Sequence, residues 1–200
     1  LAVDVGRFNG IANVMADPFN RAGAFSDQVD DSHLVDLTSL DLNLGQFKTA
    51  TLFEAAARIG AVISNAAAAV EQGLAAYGAH LGTAFQLVDD VLDYSGDEAE
   101  TGKHLGDDLA EGKTTLPLIH AMAHGNAEQS RNVRKAIEEE GSELFAEVIE
   151  AIHATGALDA TLQVARTESS AAKAAISALP PSRYKDSLLE FADFAVTRAY

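Results

Sequence analysis

The 200-residue chain has no cysteine, no tryptophan and only four prolines, and its 14 Lys and Arg residues face 30 Asp and Glu residues. The lack of cysteine excludes a disulfide scaffold, a thiolate zinc site and a catalytic thiol, and makes the reducing cytoplasm the expected location. The net charge of −16 argues against binding to nucleic acid or anionic lipid through a basic surface. An acidic protein that binds anions needs metal ions as intermediaries.

Long hydrophobic runs are also missing. No apolar stretch approaches the roughly 18 residues of a membrane-spanning helix, so no transmembrane segment is expected. The first residues, Leu1 to Arg7, lack the charged start and apolar core of a signal peptide, and no initiator Met precedes them. We expect that the chain does not begin where its gene does.

Helical periodicity dominates what is present, and it predicts an all-α fold. One apolar stripe marks a long helix that ends near Ser95 and consists of Val70, Leu74, Tyr77, Leu81, Phe85, Val88 and Leu92. The preceding segment places a second set on one face: Leu52, Ala56, Ile59 and Ile63. The Ser64-Asn65 pair between them predicts a break, and hence an antiparallel helix pair.

Residues 1–44 show no sustained period. Two helical pieces are predicted there, Phe8 to Ala16 and Asp27 to Leu37. We therefore divide the chain into a helical or irregular N-terminal segment, 1–44, and residues 45–200, which carry the functional motifs and are expected to be the C-terminal part of a single domain.

Three aspartates, Asp89, Asp90 and Asp93, lie near the end of the long predicted helix. Their spacing of i, i+1 and i+4 places them within one arc, where like charges and the negative end of the helix dipole disfavour them. Carboxylates grouped without His or Cys are the ligands that hard cations prefer, and Mg²⁺ could bridge them to a diphosphate. A solvated acidic helix end is the alternative.

Glycines and lysines follow these aspartates. The block includes Gly102, Lys103, Gly106, Asp107, Asp108, Glu111, Gly112 and Lys113. Glycine allows backbone to approach a ligand, and lysine supplies charge for phosphate oxygens; the alternative is a polar loop. Pro117 is predicted in the first turn of the next helix. Upstream, Lys48-Thr49 is predicted to open a helix, whose N-terminus would favour an anion.

These segments resemble the all-trans polyprenyl diphosphate synthases, particularly long-chain, octaprenyl-type bacterial members that make quinone side chains. The stretch Phe85-Gln86-x-x-Asp89-Asp90-x-x-Asp93 is similar to the second aspartate-rich motif of that family. The block from Gly102 to Pro117 is similar to the segment that follows it, and Lys48-Thr49-Ala50 to the Lys-Thr segment upstream. The similarity runs from about Phe47 to the end of the chain.

The resemblance implies a helical bundle around a central cavity, a homodimer, and Mg²⁺-dependent head-to-tail condensation of an allylic diphosphate with isopentenyl diphosphate. It implies that Mg²⁺ is bound by Asp89, Asp90 and Asp93. It implies that diphosphate is bound by Lys48, Lys103 and Lys113. The catalytic set carried over from the family is Asp89, Asp90, Lys48, Thr49, Gln86 and Phe85.

The family also has a first aspartate-rich motif followed by an Arg-Arg pair, and neither is found in this sequence. Asp27, Asp30 and Asp31 are predicted to share a helix face, which we interpret as an acidic surface rather than that motif. Two hypotheses stay open: a prenyltransferase seen incompletely, or a degenerate synthase-like subunit that binds diphosphate or regulates a partner. A helical interaction protein with an acidic surface would not require acids and lysines arranged in this way.

Overall fold

The computed structural model of the chain describes residues 34–95, 106–138 and 142–197, with side chains from 49 onward in the first range and from 143 in the last. All regular structure in these ranges is helical, which confirms the predicted all-α class. The α-helices are α1 (Leu34–Ile63), α2 (Ala68–Ser95), α3 (Asp107–Ala110), α4 (Leu116–His124), α5 (Ala127–Glu138), α6 (Phe145–Thr155), α7 (Ala157–Ala175) and α8 (Arg183–Thr197). Over the same ranges, no helix has the length and apolarity needed to cross a membrane.

The chain forms two compact units. Of the described residues, the first unit contains 46–86 and 166–197, and the second contains 34–45, 87–95, 106–138 and 142–165. Each unit has a hydrophobic cluster of its own. The two are described separately below.

In the first unit, α1 and the start of α2 form the predicted antiparallel pair. Arg58 Nε lies 3.2 Å from Glu71 Oε1 near the connection, and Thr49 contacts Gln86 at the far end. The expected break is confirmed, because α1 ends at Ile63 and Asn65 follows with a φ of 53°. Gly78 and Gly82 of α2 face the backbone of α1 so closely that a Cβ at Gly82 would lie 2.6 Å from Ala50 Cα.

The buried face of α1 differs from the prediction. Leu52 and Ile63 are 61% and 67% exposed, whereas Ala55 and Val62 are buried. The buried face is rotated by about one residue from the predicted one, and Gly78 and Gly82 approach the α1 backbone at Ala50, Phe53 and Glu54 rather than at the predicted stripe. Of the four predicted positions, only Ile59 packs against the buried residues, beside Ala55 and Val62.

The predicted stripe on α2 is confirmed at its centre. Tyr77 and Leu81 are buried against α7 and α8 in the first unit, in a cluster with Ala172, Ile176, Ala192 and Ala195. The Tyr77 hydroxyl donates to the Leu188 carbonyl oxygen at 2.8 Å. Burial raises the pKa of Tyr77 to about 12, so this hydroxyl stays protonated and able to donate at neutral pH.

The second unit packs α4, α5 and α6 around a core that includes Leu118, Val133, Val148 and Ile152. Local sequence signals set the helix ends. Pro117 lies in the first turn of α4, as predicted. The Asn126 side chain accepts from the backbone N–H groups of Glu128 and Gln129 at 2.9 and 3.0 Å, which caps α5. Gly156 ends α6 in the left-handed region, with a φ of 66°.

The start of α1 corrects two predictions. Residues 34–44 continue without interruption into the helix, so the piece predicted to end at Leu37 does not end there, and Lys48-Thr49 lies inside α1 rather than at its N-terminus. Gly45 does not break the helix, because the cost of one internal glycine, about 1 kcal/mol, is small beside the packing of a long helix. The predicted piece from Phe8 to Ala16 and residues 27–33 lie outside the described residues.

We expect the free energy of unfolding to decrease as pH falls below about 6.5, the ordinary histidine value, partly through His120. Burial, followed by the neighbouring His124, lowers the pKa of His120. The two rings stack with centroids 4.0 Å apart. Because the unfolded chain then binds the proton more tightly, stability is lost as pH drops through the unfolded pKa towards the folded one. Urea unfolding at pH 7.5 and 5.5 measures the loss.

A His120→Gln variant separates this effect from the titration of the carboxylates. Its stability difference between the two pH values should be smaller than that of the wild-type chain. His153→Gln is the matched control, because His153 is exposed on the neighbouring helix α6. An equal pH dependence in His120→Gln and wild type would contradict the prediction.

Candidate functional site

The three aspartates of the predicted metal motif lie in the last two turns of α2. Asp90 and Asp93 are 6% and 9% exposed, and Asp89 is half-buried. Their neighbours Leu87, Val88 and Val91 are buried in the core. Anchoring of the apolar face therefore fixes the helix that carries the carboxylates.

Asp93 accepts two hydrogen bonds from the backbone at the start of α3. Its carbonyl oxygen accepts from the Gly106 backbone N–H at 2.9 Å. Its carboxylate oxygen Oδ2 accepts from the backbone N–H of Asp108 at 3.2 Å, in the first turn of α3. Gly106 has a φ of 82°, and a Cβ there would lie 2.8 Å from Phe145 Cδ2, so glycine is required at this junction.

The carboxylates of the motif fit a Mg²⁺ site that the protein fills only in part. In the described ranges, no group of three or more His, Asp or Glu side chains is arranged to hold a metal ion. Mg²⁺ usually takes one or two protein carboxylates and fills its other positions with water and phosphate oxygens. The aspartates suit that mode because buried carboxylates are stabilised by pairing or by coordination.

Lys113, a predicted diphosphate ligand, lies in the segment after α3. Its Nζ is 2.7 Å from Asp108 Oδ1 and 2.7 Å from Glu111 Oε2. The hydrogen bonds to Asp108 and then Glu111 hold the pKa of Lys113 above its usual value, and the bond from Lys113 lowers the pKa of Glu111. The ammonium group is therefore charged at neutral pH, and at 55% side-chain exposure it is accessible to an anion.

Tyr94 lies directly after the motif and was not identified from the sequence as part of the site. The Thr115 hydroxyl donates to the Tyr94 hydroxyl at 3.3 Å, and both residues are buried. Burial raises the pKa of Tyr94, with a smaller contribution in the same direction from the negative charges of Asp93, Asp108 and Asp90. This contact ties the end of α2 to the N-cap of α4. Tyr94 adjoins the motif in sequence, but nothing in the sequence indicates Thr115 as its partner.

Two other predicted site residues, Thr49 and Gln86, are brought together in the first unit. The Thr49 hydroxyl donates to Gln86 Oε1 at 3.1 Å. Phe85 packs against Phe53, with ring centroids 5.5 Å apart. Phe85 and Gln86 precede Asp89 and Asp90 by one turn of the same helix.

The remaining predicted ligands are not tested. Lys48 lies in α1 but its side chain is outside the described part, as is the whole of Lys103. The same holds for Asp27, Asp30 and Asp31. The prediction that Lys48-Thr49 forms an anion site at a helix N-terminus is wrong. These residues lie inside α1, where the backbone N–H groups already donate hydrogen bonds within the helix.

Over the described residues the chain is all-helical, and the aspartate-bearing end of α2 is bonded to the lysine-bearing turn after α3. The chain belongs to the polyprenyl synthetase family, whose family model matches residues 26–155. The match begins earlier than Phe47, where the sequence resemblance was judged to start, and it includes the described beginning of α1.

Individual relatives agree with this family. The chain is 48% identical over 152 residues to the octaprenyl diphosphate synthase of Escherichia coli K12 and 49% identical over 154 residues to that of Haemophilus influenzae. Both matches cover 76% of this chain and 47% of the relative, so the chain spans about half the length of these curated relatives. A polyprenyl synthase from Caulobacter crescentus CB15, solved with calcium and isoprenyl diphosphate, superposes with a TM-score of 0.79 at 36% identity, covering 98% of this chain and 59% of that one.

Proposed function

We propose that this chain takes part in Mg²⁺-dependent prenyl transfer, the condensation of isopentenyl diphosphate with an allylic diphosphate to give a long polyprenyl chain. The observation that carries the proposal is the link from the aspartate motif to the lysine segment. The Asp93 carboxylate accepts from the Asp108 N–H, and Asp108 in turn pairs with Lys113. Carboxylates for a cation and an ammonium for phosphate oxygens therefore occur in one hydrogen-bonded arrangement.

Asp89, Asp90 and Asp93 would hold Mg²⁺, which when bound neutralises diphosphate charge and makes the diphosphate a better leaving group. Lys113 would bind phosphate oxygens, together with Lys48 and Lys103. The structure of the relative from Caulobacter crescentus contains calcium and isoprenyl diphosphate. It supports the proposed pairing of a divalent cation with a prenyl diphosphate.

Phe85 and Gln86 would act at the reacting carbon rather than at the phosphate. As the carbon–oxygen bond of the allylic substrate breaks, positive charge develops on the allylic carbon. An aromatic face and an amide oxygen both stabilise such charge when water is excluded. The Thr49 hydroxyl already donates to Gln86 Oε1, so Thr49 would orient the amide for this role.

We expect the chain to elongate farnesyl diphosphate with isopentenyl diphosphate when Mg²⁺ is present and to stop when EDTA removes the metal. Radiolabelled isopentenyl diphosphate and chromatography of the products measure both the rate and the chain length. Products that stop at short chains would overturn the long-chain assignment. Binding of diphosphate without any elongation would favour the alternative, a diphosphate-binding or regulatory subunit.

The assembly and location of the protein are part of the same proposal. We expect a homodimer, as the family resemblance implies, and a cytoplasmic location, which suits a chain without cysteine. Light scattering after size exclusion would give twice the 21.0 kDa of the chain for a dimer. The division into an N-terminal segment, 1–44, and the C-terminal part of a single synthase-like domain, 45–200, stays a proposal.

A further inference from the structure

Asp108 connects two parts of the second unit that the proposed function uses for different purposes. Its backbone N–H donates to Asp93 Oδ2 at 3.2 Å. Its side-chain oxygen Oδ1 accepts from Lys113 Nζ at 2.7 Å, and its carbonyl oxygen accepts from the Lys113 backbone N–H at 2.9 Å. One residue therefore bonds both to the last aspartate of the motif and, twice, to the lysine.

We propose that Asp108 is a positioning residue that holds the Lys113 ammonium at a fixed place relative to Asp93, so that the lysine and the metal motif engage the same diphosphate. The inference rests on the proposed function, since it assumes that Lys113 binds a diphosphate. Asp108 itself need not touch the substrate. Its contribution is to reduce the conformations that the long lysine side chain must give up on binding.

Glu111 makes a contact of the same length to Lys113, yet its surroundings differ. The Asp108 side chain is 16% exposed and that of Glu111 is 64% exposed. In the Glu111 pair both side chains are largely exposed, and water screens such a pair so that it contributes little. The Asp108 carboxylate is partly desolvated and its backbone is fixed on both sides, so its hydrogen bond to the ammonium is stronger and better oriented. Asp108 therefore orients Lys113, whereas an incoming phosphate can displace Glu111.

A double-mutant cycle on the whole chain tests the inference, with Mg²⁺ and inorganic pyrophosphate as the probe in isothermal titration calorimetry. We expect Asp108→Ala to weaken pyrophosphate binding about tenfold, the effect of losing one charge-assisted hydrogen bond. In a Lys113→Met background the same substitution should cause no further loss. The matched control Glu111→Ala should leave the affinity unchanged or raise it slightly.

The outcomes separate positioning from a purely structural role. Equal loss from Asp108→Ala with and without Lys113 would overturn the inference while leaving the proposed function in place. No loss from Lys113→Met would overturn the inference together with the role proposed for Lys113. Absence of Mg²⁺-dependent pyrophosphate binding by the wild-type chain would instead overturn the proposed function itself. If thermal unfolding shows that Asp108→Ala disrupts α3, Asp108→Asn takes its place in the cycle. The asparagine keeps an oxygen acceptor in a side chain of the same size. We therefore expect it to weaken pyrophosphate binding about threefold, and only when Lys113 is present.

Discussion

Replacing Gly78 by alanine should destabilise the protein by about 3 kcal/mol, at the upper end of the cost of overpacking a close contact. A Cβ at this position would lie 2.7 Å from Glu54 Cα and 2.8 Å from Glu54 N. Those atoms belong to the backbone of α1, so no side-chain rotation relieves the overlap and the two helices must separate. Urea denaturation followed by circular dichroism measures the change in the free energy of unfolding.

Gly60→Ala in α1 is the matched control. It is also a helical glycine, in the last turn of α1, but a Cβ there would meet nothing within 4 Å. The higher helix propensity of alanine should then stabilise the protein by about 0.5–1 kcal/mol. If both substitutions changed stability in the same direction, close approach of α1 and α2 at Gly78 would not be what stabilises the first unit.

Asp89→Ala should weaken Mg²⁺-dependent pyrophosphate binding about 100-fold while helicity stays intact. Asp89 is half-buried, so its replacement leaves no large cavity. In the proposed site, loss of this carboxylate removes a metal ligand, and loss of the metal removes several kcal/mol of stabilisation from the bound phosphate. Calorimetry with Mg²⁺ and pyrophosphate measures the affinity, and far-ultraviolet circular dichroism checks the helices.

Asp107→Ala controls for the general loss of negative charge from the second unit. Asp107 is an exposed aspartate at the start of α3, outside the motif. Its removal should leave the Mg²⁺-dependent affinity within about twofold of wild type, because surface charges are screened at physiological salt. Unchanged binding in Asp89→Ala would remove Asp89 from the proposed metal site.

Local signals allowed much of the fold to be predicted. The seven-residue stripe of α2, the turn at Ser64-Asn65 and the position of Pro117 each depend on neighbours within a few residues along the chain. The start of α1 was mispredicted because Gly45 and the mixed residues before it carry a weak local preference. The length of the helix and the packing of its later turns override that preference.

The candidate site divides in the same way. Its acidic motif could be found from sequence because Asp89, Asp90 and Asp93 are close together along the chain, and its chemical interpretation came with the family resemblance. The partners of these residues could not. Asp93 with Asp108, Thr115 with Tyr94, and Thr49 with Gln86 are separated by 15, 21 and 37 residues, respectively.

The sequence by itself determined the all-α class, the family, and the residue types that suit a divalent cation and a diphosphate. Only the tertiary structure decided which face of α1 is buried and which carboxylates contact Lys113. The physical reason is that periodicity records how hydrophobic each face of a helix is, whereas packing also depends on how closely two backbones approach. Gly78 and Gly82 bring α2 against the α1 backbone at Ala50, Phe53 and Glu54, while Leu52 and Ile63 stay exposed.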